Sequence, residues 1–238
     1  MILTLHDNPY SQVKKCVTFV FLKDDNGNFY PIGTGFFVGK QQGETKEYYG
    51  YIVTAKHVLQ DENGIIRETV YLRFNKHDKT SGFVRIQTNK TEIYTHQDTD
   101  IDIAVIPYFP DQKIYDLMFI PDSLIATSEI LKRYKISEGD EVFFSGLFTS
   151  HPGQKKNQPI VRFGRVALMS DEKIEWREKD KPAKFLDLYL VECQSFGGNS
   201  GSPVFFSISA GRDLPDNLRL VSVAPPSLFL ASLMFGSD

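Results

Sequence analysis

The sequence predicts an all-β fold made of two small antiparallel β-barrels of about six strands each. Short β-branched and aromatic segments alternate with turn residues along most of the 238 residues, and 13% of the residues are aromatic, which favours β structure. Helical periodicity is scarce. A stretch without a clear period, which contains Pro110 and Pro121, divides the strands into two sets near the middle of the chain.

The first set of strands defines an expected N-terminal barrel, residues 1–110. Its first strand is rich in Val, Phe and Thr, and an Asp-Asp-Asn-Gly-Asn sequence follows that is typical of a hairpin turn. A second tight turn is predicted at Asn63-Gly64. The predicted strands are residues 16–22, 29–38, 48–54, 65–74, 82–88 and 102–107.

Residues 111–126 are expected to be a linker, and residues 127–238 to form the C-terminal barrel. Residues 128–134 have a pattern that allows one or two helical turns. The charged segment 171–184 is expected to be a solvated hairpin loop. The predicted strands of this barrel are residues 141–145, 160–166, 185–192, 203–207 and 218–223.

Net charge and amino-acid composition exclude several classes of protein. With 27 Lys and Arg against 30 Asp and Glu, the net charge is -3, and no domain-wide basic field is available to bind nucleic acid. The ordinary composition argues against wholesale disorder, collagen and coiled coil. We therefore expect a folded protein that has no nucleic-acid partner.

Cysteine usage and the N-terminus predict a cytoplasmic location. Cys16 and Cys193 are the two cysteines, and they lie too far apart in the sequence to suggest a disulfide framework. Residues 1–5 are followed directly by His6 and Asp7, without the basic region and long apolar run of a signal peptide.

One uncharged stretch, residues 220–237, approaches the length of a membrane span. Pro225-Pro226 interrupts it, and such a pair breaks a helix. We expect a buried strand followed by a short terminal segment, and no membrane partner.

The first candidate for chemistry is a glycine-rich loop, Gly197-Gly198-Asn199-Ser200-Gly201-Ser202-Pro203. A serine hydroxyl is a weak nucleophile that needs a base and donors for the oxyanion that it creates. Glycines on both sides let the backbone turn tightly and aim successive N–H groups into one small space. Taken alone, the tetrapeptide is also compatible with an ordinary Gly/Ser-rich turn.

His57 and Asp102 are candidates for the base and its partner. His57 follows three residues after a hydrophobic strand that ends at Thr54, a rigid position suited to a general base. Asp102 borders an apolar strand, where it needs hydrogen-bond donors, and a histidine N–H can be one. Asp98 and Asp100 are expected to be solvated loop residues.

In this order, His57, Asp102 and Ser200 resemble the triad of the trypsin-like (chymotrypsin-fold) serine peptidases. The chain is similar to successive motifs of that family at residues 33–38, 52–58, 102–105, 139–146, 164–166 and 198–203. The secreted digestive enzymes of this family have Asp at the position of Asn199. In having Asn there, the chain resembles the HtrA-like and bacterial glutamyl-endopeptidase-like branches. Activation by a freed N-terminus is therefore not expected, and a PDZ domain after the peptidase region is not expected either.

The resemblance implies a serine endopeptidase that acts on polypeptides. Ser200 would be the nucleophile and His57 the general base and acid, with Asp102 orienting the imidazole. The backbone N–H groups of Gly198 and Ser200 would form the oxyanion hole. Gln194 stands at the base of the expected specificity pocket, and Ser222 lies in the strand expected to pair with an extended substrate.

The C-terminus departs from the family pattern, because the segment after Ser222 is short and Pro225-Pro226 replaces an expected glycine-containing segment. The second barrel is thus expected to be incomplete or completed by an activating protein partner. The alternative function is a protease-fold binding or scaffold module with a silent site, although the intact triad argues against it. An esterase is a third hypothesis, compatible with the same triad.

No cofactor is expected, and no metal site is visible in the sequence, which has neither paired cysteines nor a His-x-x-x-His motif.

Overall fold

A computed structural model describes residue 2, residues 9–177, 183–186 and 188–207, and the backbone of residues 223–224. In the described part, β-strands are the main regular secondary structure and the helices are few and short, which confirms the all-β prediction. Its strands form one eight-stranded sheet, one five-stranded sheet and one two-stranded hairpin. Ser222 and most of the uncharged stretch at residues 220–237 lie outside the described residues.

The eight-stranded sheet comes from the N-terminal half. Its strands are β1 Val17–Lys23, β2 Phe29–Gln41, β3 Tyr48–Thr54, β4 Thr69–Asn75, β5 Ser81–Gln87, β6 Tyr94–Thr95, β7 Ala104–Ile106 and β8 Ile120–Pro121. They are paired in the order β5-β4-β1-β2-β3-β7-β6, and β8 pairs with β2 in parallel.

The five-stranded sheet comes from the C-terminal half, in the order β13-β10-β9-β14-β15. Its strands are β9 Glu141–Gly146, β10 Ile160–Met169, β13 Tyr189–Cys193, β14 Val204–Ser207 and β15 Val223–Ala224. The separate hairpin pairs β11 Ile174–Trp176 with β12 Lys184–Leu186. Residues 171–184, expected to be a solvated hairpin loop, therefore contain all of β11 and the first residue of β12.

The helices are short. They are α1 Pro9–Val13, α2 Lys56–Leu59 and α3 Ser128–Arg133, with 3-10 turns at Lys14–Cys16 and Asp122–Leu124. The hydroxyl of Thr127 caps α3 by accepting a hydrogen bond from the backbone N–H of Ile130 at 3.3 Å. In the described residues, no helix is long and apolar enough to span a bilayer.

A shared apolar core joins the two large sheets. Val17, Phe36 and Val53 of the first sheet pack in one cluster with Phe143 and Phe205 of the second. Burial of these side chains removes apolar surface from both halves at once, so each sheet stabilises the other.

The segment between the halves is packed rather than free. The apolar run at residues 117–120 is buried, and Ile120 pairs with Val38 of β2. The N–H of Met118 donates to the carbonyl oxygen of Lys15 at 3.0 Å, which ties the segment to the N-terminal region.

Candidate active site

The position of His57 follows from a strand end and one helical turn. Strand β3 ends at Thr54, and α2 begins at Lys56. Val58 and Leu59 of the turn are 4% and 0% exposed, so they anchor it in the core. The imidazole points outward, and its side chain is 45% exposed.

Asp102 holds His57 through both carboxylate oxygens. Oδ2 lies 2.5 Å from Nδ1 of the imidazole, and Oδ1 accepts the backbone N–H of His57 at 2.8 Å. An ionised carboxylate only accepts hydrogen bonds, so Nδ1 carries a proton and Nε2 is left as the ring atom able to receive one. Two contacts fix both the tautomer and the orientation of the ring.

The electrostatics keep Asp102 ionised. Burial acts to raise the pKa of this carboxyl, but the hydrogen bonds and charge of His57 and the nearby charge of Lys56 outweigh it, and the pKa is lowered from its ordinary value. Lys56 is itself fixed, because its Nζ donates to the carbonyl oxygens of Thr99 and Ile101 at 2.6 and 3.2 Å. The loop that ends at Asp102 is thereby tied to the residue before His57.

The loop that carries Ser200 is docked on the first sheet through Thr34. The N–H of Thr34 donates to the carbonyl oxygen of Ser200 at 2.9 Å, and its hydroxyl donates to the carbonyl oxygen of Gly198 at 2.8 Å. The same hydroxyl accepts the N–H of Leu147 at 2.9 Å. Thr34 is fully buried, so these bonds are shielded from water.

Gly201 brings this loop against the strand end that precedes His57. Its φ is +83°, and a Cβ there would overlap the carbonyl oxygen of Thr34 and lie 2.5 Å from Oγ1 of Thr54 and 2.9 Å from the nitrogen of Ala55. Only glycine combines this φ with so close an approach. Ser200 is thus held beside the β3–α2 junction, two residues before His57.

Ser200 and the residue before it are buried, while two backbone N–H groups of their loop make no described hydrogen bond. Ser200 is 9% exposed and Asn199 is 0% exposed. Gly198 has a φ of +97°. Within residues 9–177, 183–186 and 188–207, the backbone N–H groups of Gly198 and Ser200 donate to no acceptor.

The other sequence-predicted residues are less closely tied to this centre. Gln194 is exposed directly after β13. Asp98 accepts the N–H of Asp100 at 3.0 Å, a bond within the loop. Asp100, expected to be solvated, instead pairs with Nζ of Lys184 at 2.8 Å, which connects this loop of the first half to the β11–β12 hairpin of the second.

A cleft of about 760 Å³ opens beside His57. His57 and Asp102 line it, Ser200 does not, and residues from both halves of the chain form its walls. The lining residues are Lys56, His57, Gln60, Gly64, Ile66, Thr95, His96, Thr99, Asp100, Asp102, Trp176, Lys184 and Leu186. The sequence interpretation did not include Trp176 or Leu186 in the site. The sequence feature that could have indicated Trp176 is its position as a single tryptophan within the charged segment 171–184.

Comparison with known proteins identifies the family of the chain. A protein-family model described as a trypsin-like peptidase domain matches residues 33–212. The comparison with curated proteins found no match.

Solved structures of the Rv3671c protease of M. tuberculosis are similar to the chain. The active form is 13% identical over 99% of this chain and 87% of that chain, with a TM-score of 0.49. An inactive form is 16% identical over 84% and 77%, with a TM-score of 0.45. An inactive serine-to-alanine mutant from strain H37Rv is 17% identical over 85% and 77%, with a TM-score of 0.44.

Proposed function

The chain belongs to the trypsin-like peptidase family and is a serine peptidase, whose substrates are polypeptides; from this premise we propose that it cleaves peptide bonds through His57, Asp102 and Ser200 by way of an acyl-enzyme. The observation that carries the proposal is the pair of hydrogen bonds between Asp102 and His57. They leave Nε2 as the proton acceptor, which is what a weak serine nucleophile requires.

In the first half of the reaction, Oγ of Ser200 attacks the carbonyl carbon of the scissile peptide while its proton passes to Nε2 of His57. The tetrahedral intermediate collapses when the imidazolium protonates the leaving amine, and an ester to Ser200 remains. Water then attacks this ester and gives its proton to His57, which passes the proton to Oγ of Ser200 as the new carboxyl terminus is released. Asp102 stabilises the imidazolium in both halves.

The backbone N–H groups of Gly198 and Ser200 bind the oxyanion of each tetrahedral intermediate. The positive φ of Gly198 and the absence of other acceptors for these two amides in the described residues support this role. Loss of one such donor lowers the rate about 100- to 1,000-fold.

The substrate lies between residues from both halves of the chain. We assign His57 and Asp102 to an N-terminal barrel, residues 1–110, and Ser200 to a C-terminal barrel, residues 127–238. Gln194 belongs to the base of the specificity pocket, and the β-strand that contains Ser222 pairs with the substrate backbone.

Intact-mass labelling with a fluorophosphonate probe tests the proposal. The wild-type protein is expected to gain one phosphonyl group, and Ser200→Ala to gain none. Ser202→Ala is the matched control, because it removes a neighbouring buried serine hydroxyl and leaves Ser200 in place. Absence of labelling in folded wild-type protein would contradict an activated serine, and labelling of Ser200→Ala would place the nucleophile elsewhere.

A further inference from the structure

Arg73 is a buried cation on strand β4 of the first sheet. It is 6% exposed, and among the residues that the structure describes it has no acidic partner. Its Nε donates to Oδ1 of Asn157 at 2.5 Å and its Nη2 to the carbonyl oxygen of Pro152 at 2.5 Å. The guanidinium also lies 4.7 Å from the ring centre of Phe21.

A charge is costly to bury without a counter-ion, and in the part of the chain that the structure describes this one is paired with neutral acceptors only. Burial lowers the pKa of Arg73 to about 10, which leaves the guanidinium charged at neutral pH. Both described hydrogen bonds of the guanidinium go to residues 152–157, a loop of the other half of the chain. What Arg73 holds in place is therefore this loop.

Asn157 completes the attachment. It is 3% exposed, its Nδ2 donates back to the carbonyl oxygen of Arg73, and its backbone N–H donates to Oδ1 of Asn75 at 2.7 Å. Nδ2 of Asn75 in turn donates to the carbonyl oxygen of Asn157 at 3.1 Å. The end of the loop is thereby fixed to strand β4 by a closed set of hydrogen bonds.

The beginning of the same loop touches the loop that carries Ser200. The N–H and the hydroxyl of Thr149 both donate to the carbonyl oxygen of Gly197, at 3.3 and 3.2 Å. Leu147 and Thr149 also cover Gly198, where a Cβ would lie 2.8 Å from Leu147 and 2.9 Å from Cγ2 of Thr149. Residues 147–157 thus extend from Arg73 to Gly197-Gly198.

The contact with Gly197 sets the direction of the Gly198 amide. The carbonyl of Gly197 and the N–H of Gly198 belong to one planar trans peptide, so they point in opposite directions. Because the carbonyl of Gly197 points toward Thr149, the N–H of Gly198 points away from Thr149. Two successive glycines have little steric barrier to a rotation of this peptide, so its direction depends on the contact.

We propose that Arg73 is a positioning residue for the oxyanion hole: it anchors residues 147–157, and Thr149 at the start of this loop orients the peptide between Gly197 and Gly198. This inference rests on the proposed function of the same site. It assigns to a buried arginine of the first half a role in aligning a hydrogen-bond donor of the second half.

The experiment measures the rate of fluorophosphonate labelling against probe concentration, which separates the maximal rate constant from the half-saturating concentration. Arg73→Met and Thr149→Val are expected to lower the maximal rate constant about 10- to 100-fold, because the oxyanion donor is misaligned but not removed. The half-saturating concentration is expected to be unchanged. The control, Arg85→Met, removes an exposed arginine from neighbouring strand β5 and should label like the wild type.

The double variant Arg73→Met/Thr149→Val tests whether the two residues act through one contact. It should label no more slowly than the slower single variant, whereas additive losses would contradict the proposed route. If Arg73→Met does not fold, Arg73→Lys replaces it, since lysine keeps the charge but not the fork that reaches both Asn157 and Pro152.

The two proposals fail in different ways. Wild-type protein that is not labelled contradicts the proposed function itself. Labelled wild type together with a folded Arg73 variant that reacts at the wild-type rate contradicts only the positioning role.

Discussion

The backbone N–H of Thr34 donates to the carbonyl oxygen of Ser200 at 2.9 Å, so the proposed nucleophile is bonded directly to a strand of the opposite half of the chain. The hydroxyl of Thr34 adds two bonds, to Gly198 and Leu147. One buried threonine therefore connects the first sheet to both loops around the proposed oxyanion hole.

Thr34→Val should impair activity more than its small change in shape suggests. Valine keeps the volume but leaves the carbonyl oxygen of Gly198 and the N–H of Leu147 without this partner, at a cost of about 1–3 kcal/mol. Urea unfolding gives the stability loss, and fluorophosphonate labelling gives the loss of reactivity. Thr88→Val, which removes a hydroxyl bonded to Arg67 just after β5, should retain the wild-type labelling rate.

Asp102→Asn should lower the maximal labelling rate constant about 10⁴-fold while leaving the fold intact. The amide can donate to Nδ1 of His57 and so favours the tautomer in which Nε2 carries the proton and cannot accept another. Asp98→Asn, on the same loop, is the matched control. Equal rates for the two variants would show that Asp102 has no special role.

Acid should remove the contribution of Asp102 to stability. Because folding lowers the pKa of this carboxyl from its ordinary value of 3.8, its stabilising effect is fully present above that pH and is lost as the pH falls through the folded-state pKa. The difference in unfolding free energy between wild type and Asp102→Asn should therefore shrink on acidification below about pH 4. Urea titrations between pH 7 and pH 2 measure it, and a difference that grows toward low pH would contradict the pairing.

Gly201→Ala should destabilise the protein much more than Gly139→Ala. The two glycines have nearly equal φ angles, +83° and +88°, so the backbone strain of alanine is matched. A Cβ at Gly139 meets nothing within 4 Å, whereas at Gly201 it would overlap the carbonyl oxygen of Thr34. We expect an additional cost of about 1–3 kcal/mol from overpacking, measured by urea unfolding. Similar losses in both variants would mean that the docking at Thr34 is not tight.

Trp176→Ala should weaken substrate binding more than it slows chemistry. The indole lines the cleft beside His57 but contacts neither Asp102 nor Ser200 by hydrogen bonds. With a substrate obtained from peptide-library cleavage, we expect KM to rise about 10-fold and kcat to change little, since uniform binding is lost. Phe185→Ala, a more exposed aromatic residue on the same hairpin, is the control. A fall in kcat at constant KM would contradict a binding role.

Local patterns were sufficient to predict the elements nearest to the proposed triad. Strand β3 has the predicted bounds, residues 48–54, because a segment of tyrosine and β-branched residues, interrupted by Gly50, ends there. The contact between His57 and Asp102 follows the family motif order, and the structure brings the two residues together. The roles of these residues remain predictions for the experiments above.

Long-range packing decided what the sequence patterns could not. Charged neighbours concealed strand β11 and with it Trp176, whose burial depends on the fold around the cleft. Arg73 resembles a solvated strand residue until residues 152–157 cover it. The apolar run at residues 117–120 was interpreted as part of a linker because the stretch contains Pro110 and Pro121 and lacks a clear period, but in the structure it packs into the apolar core.

The place of Trp176 also gives the protein an optical property. It is the single tryptophan of the chain, and it lies in the wall of the cleft next to His57. Excitation of indole absorption therefore reports on one location, without background from other tryptophans. Occupants of the cleft should change its emission intensity or wavelength, so unlabelled peptides can be screened against the inactive Ser200→Ala protein by intrinsic fluorescence alone.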